Sequence, residues 1–128
     1  MICITGAAGF IGSHLLKNLK QKGVTDIMLC DPRDKSMVHP DHLLEKFKHK
    51  TPDVVYHIGA ISSTTETNTE LIAENNILFS CKLLEYCISK GVPLVYASSA
   101  SVYGLGTNGF SEDASPTPLN YYAMSKSF

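Results

Sequence analysis

The feature that most constrains this chain is the spacing of three glycines, Gly6, Gly9 and Gly12, directly behind the apolar run Ile2, Cys3 and Ile4. The run has the length and character of a buried parallel strand. Behind it Ile11, Leu15, Leu16 and Leu19 recur at helical spacing. A strand turning that sharply into a helix leaves the first helical N–H groups unpaired, with the positive end of the dipole behind them. Such an end suits a diphosphate, provided nothing bulky blocks the approach. On this reading Gly6 allows the tight turn, Gly9 lets the backbone reach the phosphate, and Gly12 lets the helix pack close on the strand.

Spaced glycines alone are weak evidence, so their surroundings matter. A second apolar strand, Asp26 to Cys30, is followed by Asp31, about twenty residues past Gly12, where a dinucleotide's ribose hydroxyl needs an acceptor. The first helix is expected from about Phe10 to Lys22, stopped by Gly23. A loop over residues 31–40 leads to a short helix from Asp41 to Lys50, with Leu43, Leu44 and Phe47 on one side. A third strand, Asp53 to Ile58, has the continuous apolar character of a sheet covered on both faces. Thr67 and Glu70 form a capping-box pattern opening a long helix to about Lys90, whose apolar residues cover more than one face and predict a sandwiched position. Gly91 ends it, Val92 to Ala97 forms strand four, and a last helix is expected from near Pro118.

Strand and helix alternating with short connections means an α/β fold, a Rossmann-like parallel sheet of about four strands with helices on both faces. Only a loop and a short helix fit between Asp31 and Asp53, so an outer strand beside strand two is expected to be missing or rudimentary. The ligand crevice of such a sheet lies at the carboxyl ends of its strands, where Gly6–Gly12, Asp31, Ser62–Thr65 and Ser98–Ser101 are expected to converge.

A length of 128 residues suits one domain, without room for a separate substrate domain. The net charge of −1 gives no reason to expect nucleic acid or a membrane surface. No apolar run is long enough to span a membrane, and no charged-then-apolar leader is present, so a soluble, cytoplasmic protein is expected. Cys3, Cys30, Cys81 and Cys87 lack metal-ligand spacing and read as reduced, buried and structural. His39, His42 and His49 read as solvated surface, and no metal site is expected.

Tyr122 and Lys126 are four apart on the expected last helix and share a face. An ammonium beside a phenol stabilises the phenolate and makes it a usable proton donor or acceptor. A hydroxyl such as Ser99 would hold the substrate oxygen, and with a nicotinamide nearby the trio would interconvert alcohol and carbonyl.

Four ordered motifs, Thr5-Gly-Ala-Ala-Gly-Phe-Ile-Gly12, Asp53-Val-Val-Tyr-His-Ile-Gly-Ala60, Ser98-Ser-Ala-Ser-Val-Tyr-Gly104 and Pro118-Leu-Asn-Tyr-Tyr-Ala-Met-Ser-Lys126, cover nearly the whole chain. On them the chain resembles the extended short-chain dehydrogenase/reductases, the nucleotide-sugar epimerases and dehydratases. Gly59-Ala-Ile-Ser-Ser-Thr-Thr-Glu66, Glu74-Asn-Asn76, Leu83-Leu-Glu-Tyr-Cys87 and Tyr96-Ala-Ser-Ser99 look like the ADP-glyceromanno-heptose 6-epimerases within that family. The resemblance implies that Phe10 and Ile11 lie along the cofactor phosphates, and Asp31, Pro32 and Arg33 about the adenosine ribose. It implies Ile58, Gly59, Ala60, Ile61 and Ser62 beside the nicotinamide half, with Asn75 and Lys126 also touching the cofactor. Ser99, Tyr122 and Lys126 would be catalytic, and Ser62, Ser63, Thr64 and Thr65 would partly face the sugar. The implied reaction is transient oxidation of a sugar hydroxyl, with the hydride returned to the other face.

Asp31 argues for NAD through the 2′-hydroxyl, whereas Arg33 and Lys35 suit the 2′-phosphate of NADP, the cofactor that the heptose epimerases imply. Family members run to about 300 residues, and their sugar nucleotide is held by a C-terminal region not among these residues. The chain is therefore expected to be the N-terminal part of such an enzyme, with cofactor binding but no turnover alone and a frayed helix under Tyr122 and Lys126. A 4-epimerase or 4,6-dehydratase acting on another sugar nucleotide, or a non-catalytic dinucleotide-binding module, are the alternatives. A homo-oligomer is possible for a longer form.

Overall fold

A computed structural model describes residues 1–128. Four short strands, β1 (Ile2–Thr5), β2 (Ile27–Cys30), β3 (Val54–His57) and β4 (Leu94–Tyr96), pair in parallel in the order β2-β1-β3-β4. In register, Ile2 lies opposite both Ile27 and Val54, and Thr5 opposite both Cys30 and His57. The chain thus steps from β1 to one side and then returns across β1 to the other. With right-handed crossovers, α1 (Phe10–Gln21) lies on one face of the sheet. By the same rule α2 (Pro40–His49) and α4 (Phe79–Lys90) lie on the other. The Phe47 and Tyr86 rings, 5.0 Å apart, join these last two helices. The outer strand survives as a single parallel bridge, Cys30 with Val38, as the short stretch between Asp31 and Asp53 led one to expect.

The chain divides into two compact units. Met1–Gly59 with Cys81–Ala97 forms the sheet unit, and Ala60–Ser80 with Ser98–Phe128 forms the second. The sheet unit's core is Cys3, Ile4, Cys30, Leu43, Phe47, Val55, Leu83 and Cys87, all essentially inaccessible. Burying each of the larger side chains contributes about 1.5–3 kcal/mol. Desolvation pushes the Cys30 thiol up to about 12 and raises those of Cys3 and Cys87, so all three stay protonated. Cys81 departs from the expectation of four buried thiols. It is exposed, because the helix turns that position away from the side carrying Leu83 and Cys87.

Gly23 and Gly91 end their helices with φ of +82° and +65°, in the left-handed region that only glycine adopts at no cost. The long helix differs from expectation in three ways. Its cap is Asn68, not Thr67, because the Asn68 side-chain oxygen accepts the Leu71 N–H at 3.1 Å. It begins as α3 (Thr69–Ile72), widens into a π-helical segment over Ala73–Leu78, and only then continues as α4. It is also covered on one side only, since Leu78 and Ile88 are 54% and 72% exposed. The last helix, α5 (Tyr121–Lys126), starts three residues later than Pro118 suggests. Asn120 is extended, and its oxygen accepts the Ala123 N–H at 2.7 Å, a better cap than the proline start.

Candidate active site

In the sheet unit the turn between β1 and α1 is set by backbone. Gly6 N–H donates to Cys30 O at 2.8 Å and Gly9 N–H to Gly6 O at 3.0 Å, with Gly6 at φ +70°. A Cβ on Gly12 would fall 2.2 Å from Gly6 O, so the close approach that Gly12 permits is to this turn. No side chain caps α1, and its N-cap Gly9 is extended. Phe10 and Ile11 present exposed apolar side chains, 80% and 60% accessible, at the same end. An uncapped helix start behind a glycine turn fits the diphosphate of a dinucleotide.

Asp31 is buried directly after β2, and its carboxylate is fully engaged. Oδ1 accepts from Arg33 N at 2.9 Å and Arg33 Nε at 3.0 Å. Oδ2 accepts from Arg33 Nη2 at 2.8 Å and Ala8 N at 3.1 Å. Four bonds fill the acceptor sites of a carboxylate. The Arg33 bonds, helped by Ala8 and opposed by burial, hold Asp31 below the usual carboxylate range, and Asp31 in turn raises Arg33. The Arg33 side chain is 65% exposed, and its Nη2 lies 3.1 Å from where a Cβ on Gly9 would sit. The guanidinium therefore borders the glycine turn. Pro32 is exposed beside it. At the end of β3, Gly59 lies against Gly6, where a Cβ would meet Gly59 N at 2.6 Å; Ile58 precedes it, half-buried.

In the second unit the organising residue is Asn76, which sequence reasoning missed. It is 1% exposed within the π segment. Its Oδ1 accepts from Ile61 N at 2.7 Å, and its Nδ2 donates to Ile61 O at 3.0 Å and Ser125 Oγ at 3.0 Å. Ser125 Oγ donates to Tyr122 O at 2.7 Å, so one amide holds both the Ile61 backbone and α5. Helical spacing gave no signal for it, because the π segment changes the angle per residue. Asn75, the neighbour singled out from resemblance, is half-buried and donates to Leu71 O at 2.8 Å.

Ala60 and Ile61 are half-buried, and Ser62, Ser63, Thr64 and Thr65 are exposed, with Ser63 and Thr65 hydroxyls 3.1 Å apart. Thr64 and Thr65 line an open depression of about 440 Å³ together with Asn120, Tyr121 and Met124. Ser99 Oγ is 2.8 Å from Ser101 Oγ and accepts from Ser101 N at 3.2 Å at the start of a 3-10 turn, Ala100–Tyr103. Ser98 Oγ donates to Lys126 O at 3.0 Å. Tyr122 is half-buried, whereas Lys126 is only 4% exposed, and desolvation lowers its ammonium below the usual lysine. α5 is short, but Asn120 caps it and Ala123, Ser125 and Lys126 are buried, with Ser125 bound by Asn76.

The parallel sheet, its reversal of direction at β1 and β3, and the glycine turn define the Rossmann-like α/β class. Within that class the chain belongs to the NAD dependent epimerase/dehydratase family, whose model matches residues 2–128. Over 145 aligned positions it is 38% identical to the ADP-L-glycero-D-manno-heptose-6-epimerase of Brachyspira hyodysenteriae, covering 98% of this chain and 46% of that protein. It is 39% identical over 141 positions to the enzyme of the same name from Pseudomonas aeruginosa, covering 98% and 43%. Among solved structures it resembles the Helicobacter pylori heptose epimerase, with TM-score 0.82, 29% identity, and coverage of 98% and 46%. The Thermus thermophilus UDP-glucose 4-epimerase in complex with NAD is similar at TM-score 0.81 and 29% identity, with coverage of 98% and 47%. The chain spans less than half the length of the curated relatives it matches. No helix is long and apolar enough to cross a membrane.

Proposed function

We propose that residues 1–128 are the cofactor-binding part of a nucleotide-sugar epimerase of the heptose 6-epimerase type, its sugar-binding region lying outside them. A bound nicotinamide dinucleotide would supply the hydride acceptor and donor for transient oxidation of a sugar hydroxyl. The first-turn amides of α1 would hold the diphosphate, with Phe10 and Ile11 along it and Ile58 to Ser62, with Asn75, toward the nicotinamide half. Ser99 would hold the reacting oxygen and Tyr122 would move its proton. Lys126 would share the helix face of Tyr122, and Ser62 to Thr65 would contribute hydroxyls toward the sugar. The observation that carries this reading is Lys126. It is 4% exposed and stands four residues past Tyr122 on the same short helix, the spacing that puts an ammonium on the phenol's side.

Saturation of Asp31 by Arg33 and Ala8 favours NADP over NAD, because a 2′-hydroxyl finds no vacant acceptor there while the exposed guanidinium suits a 2′-phosphate. Calorimetric titration of the 128-residue chain with each dinucleotide tests both statements. NADP is expected to bind more tightly, with the same affinity after Tyr122→Phe. Arg33→Ala should weaken NADP about tenfold and leave NAD equal or tighter, since Asp31 is released. The isolated chain is expected to show no epimerisation. Binding of neither dinucleotide, or turnover of ADP-heptose by these residues alone, would overturn the reading.

A further inference from the structure

Thr5 and His57 form a buried polar pair that none of the roles above uses. They are registered opposite one another on β1 and β3 and are 2% and 1% exposed. Thr5 Oγ1 lies 2.7 Å from His57 Nδ1 and accepts the Gly59 N–H at 3.1 Å. Tyr96, opposite His57 on β4, flanks the imidazole with ring centroids 5.6 Å apart. Next to this chain of bonds the two glycines touch: a Cβ on Gly59 would fall 3.0 Å from Gly6 N and 3.2 Å from Thr5 Oγ1.

A hydroxyl has one proton and two acceptor sites. The Gly59 amide can only donate, so it takes one lone pair of Thr5. The Thr5 proton, buried with it, is then at hydrogen-bond distance from Nδ1. We propose that His57 is a positioning residue for the glycine turn. As the neutral Nε2–H tautomer it accepts the Thr5 proton at Nδ1, which turns a Thr5 lone pair onto Gly59 N–H and fixes the Gly6–Gly59 contact. The direction of the bonds is Gly59 to Thr5 to His57. In this role His57 acts on the turn through Thr5 and Gly59. The consequence for affinity rests on the dinucleotide reading of the glycine turn; the tautomer does not.

Two measurements on the 128-residue chain test this. In long-range ¹H–¹⁵N spectra at neutral pH, His57 should show the Nε2–H tautomer with a hydrogen-bonded, unprotonated Nδ1, and the Gly59 amide should exchange slowly. An Nδ1–H tautomer or an imidazolium overturns the proposal. In NADP titrations, Thr5→Val and His57→Leu should each weaken binding about tenfold, about 1.4 kcal/mol. The double variant should be no weaker than the worse single one. His57→Asn, whose side-chain oxygen can accept the same proton, should restore affinity to within about threefold. Wild-type affinity in His57→Leu, or a folded His57→Asn as weak as His57→Leu, overturns it. If His57→Leu does not fold, the tautomer, the Gly59 amide and His57→Asn still decide. If the wild type binds no dinucleotide, the proposed function fails, while the spectra still decide the role of His57.

Discussion

In the sheet unit β1 is paired along its whole length on both sides, and the glycine turn is shaped by backbone bonds from Gly6 to Cys30 and from Gly9 to Gly6, with the Asp31 carboxylate and the Thr5 hydroxyl added beside them. The second unit contains no strand, and side chains hold its segments together, Asn76 foremost among them. Asn76 makes three hydrogen bonds that bind the Ile61 backbone and, through Ser125, the helix carrying Tyr122 and Lys126. The contrast teaches where each region is vulnerable. Where backbone holds a shape, the sensitive positions are those that cannot accept a side chain. Where a side chain holds it, the sensitive position is that side chain.

Gly12→Ala breaks the first rule most directly. The new methyl would fall 2.2 Å from Gly6 O and 2.9 Å from Ala7 Cα, both backbone atoms. The helix must move away from the turn, at a cost of about 3 kcal/mol or more. Urea denaturation should show a large fall in midpoint, and the remaining folded protein should lose dinucleotide affinity. An unchanged midpoint would mean that the turn is not held by close backbone approach.

Asn76→Leu attacks the second unit with a side chain of similar size. It leaves the half-buried Ile61 N–H without its Asn76 partner and removes the bonds to Ile61 O and Ser125 Oγ. The expected loss is about 2–3 kcal/mol, the cost of an unsatisfied donor plus a lost hydrogen bond. Amide exchange should accelerate at Ile61 and through Ala123–Ser127, while Cys3, Ile4 and Val55 keep their protection. Equal acceleration in the sheet would show that the two units open as one, and the contrast would fail.

The same contrast explains what the sequence disclosed. Period and punctuation report backbone: the run before Gly6, the stop glycines Gly23 and Gly91, and the shortness of the stretch between Asp31 and Asp53 all led to elements that the structure contains. Side-chain choices are not periodic. Nothing in Glu74-Asn75-Asn76 tells which asparagine turns inward, because a π segment changes the angle per residue, and resemblance pointed to Asn75. Helix starts failed for a related reason. Asn68 and Asn120 compete with Thr67 and Pro118 as first-turn residues, and the winner is the side chain whose oxygen reaches a free amide. Asp31 was legible as an acidic residue at the right distance, yet its four donors were not, since Arg33 reaches it by a rotamer.

That last case allows the smallest and sharpest test, because Asp31 belongs to the sheet unit but is held by a side chain. Asp31→Asn removes the charge and keeps the shape. The Arg33 partner is 65% exposed, so solvent screens much of the pair, and the expected loss near neutral pH is about 1 kcal/mol. The sign with pH follows from the direction of the shift. The folded-state value is depressed by the Arg33 bonds, so the contribution is fully present above the unfolded carboxylate value of about 3.9. It is lost as pH falls through the lower folded value, because protonation then makes the wild type resemble the variant. Urea midpoints of wild type and Asp31→Asn should therefore differ by a constant amount from neutral pH down to about 4 and converge below that. A difference that persists at lower pH would mean that Asp31 acts by packing, and the sheet unit would then owe nothing to this charge.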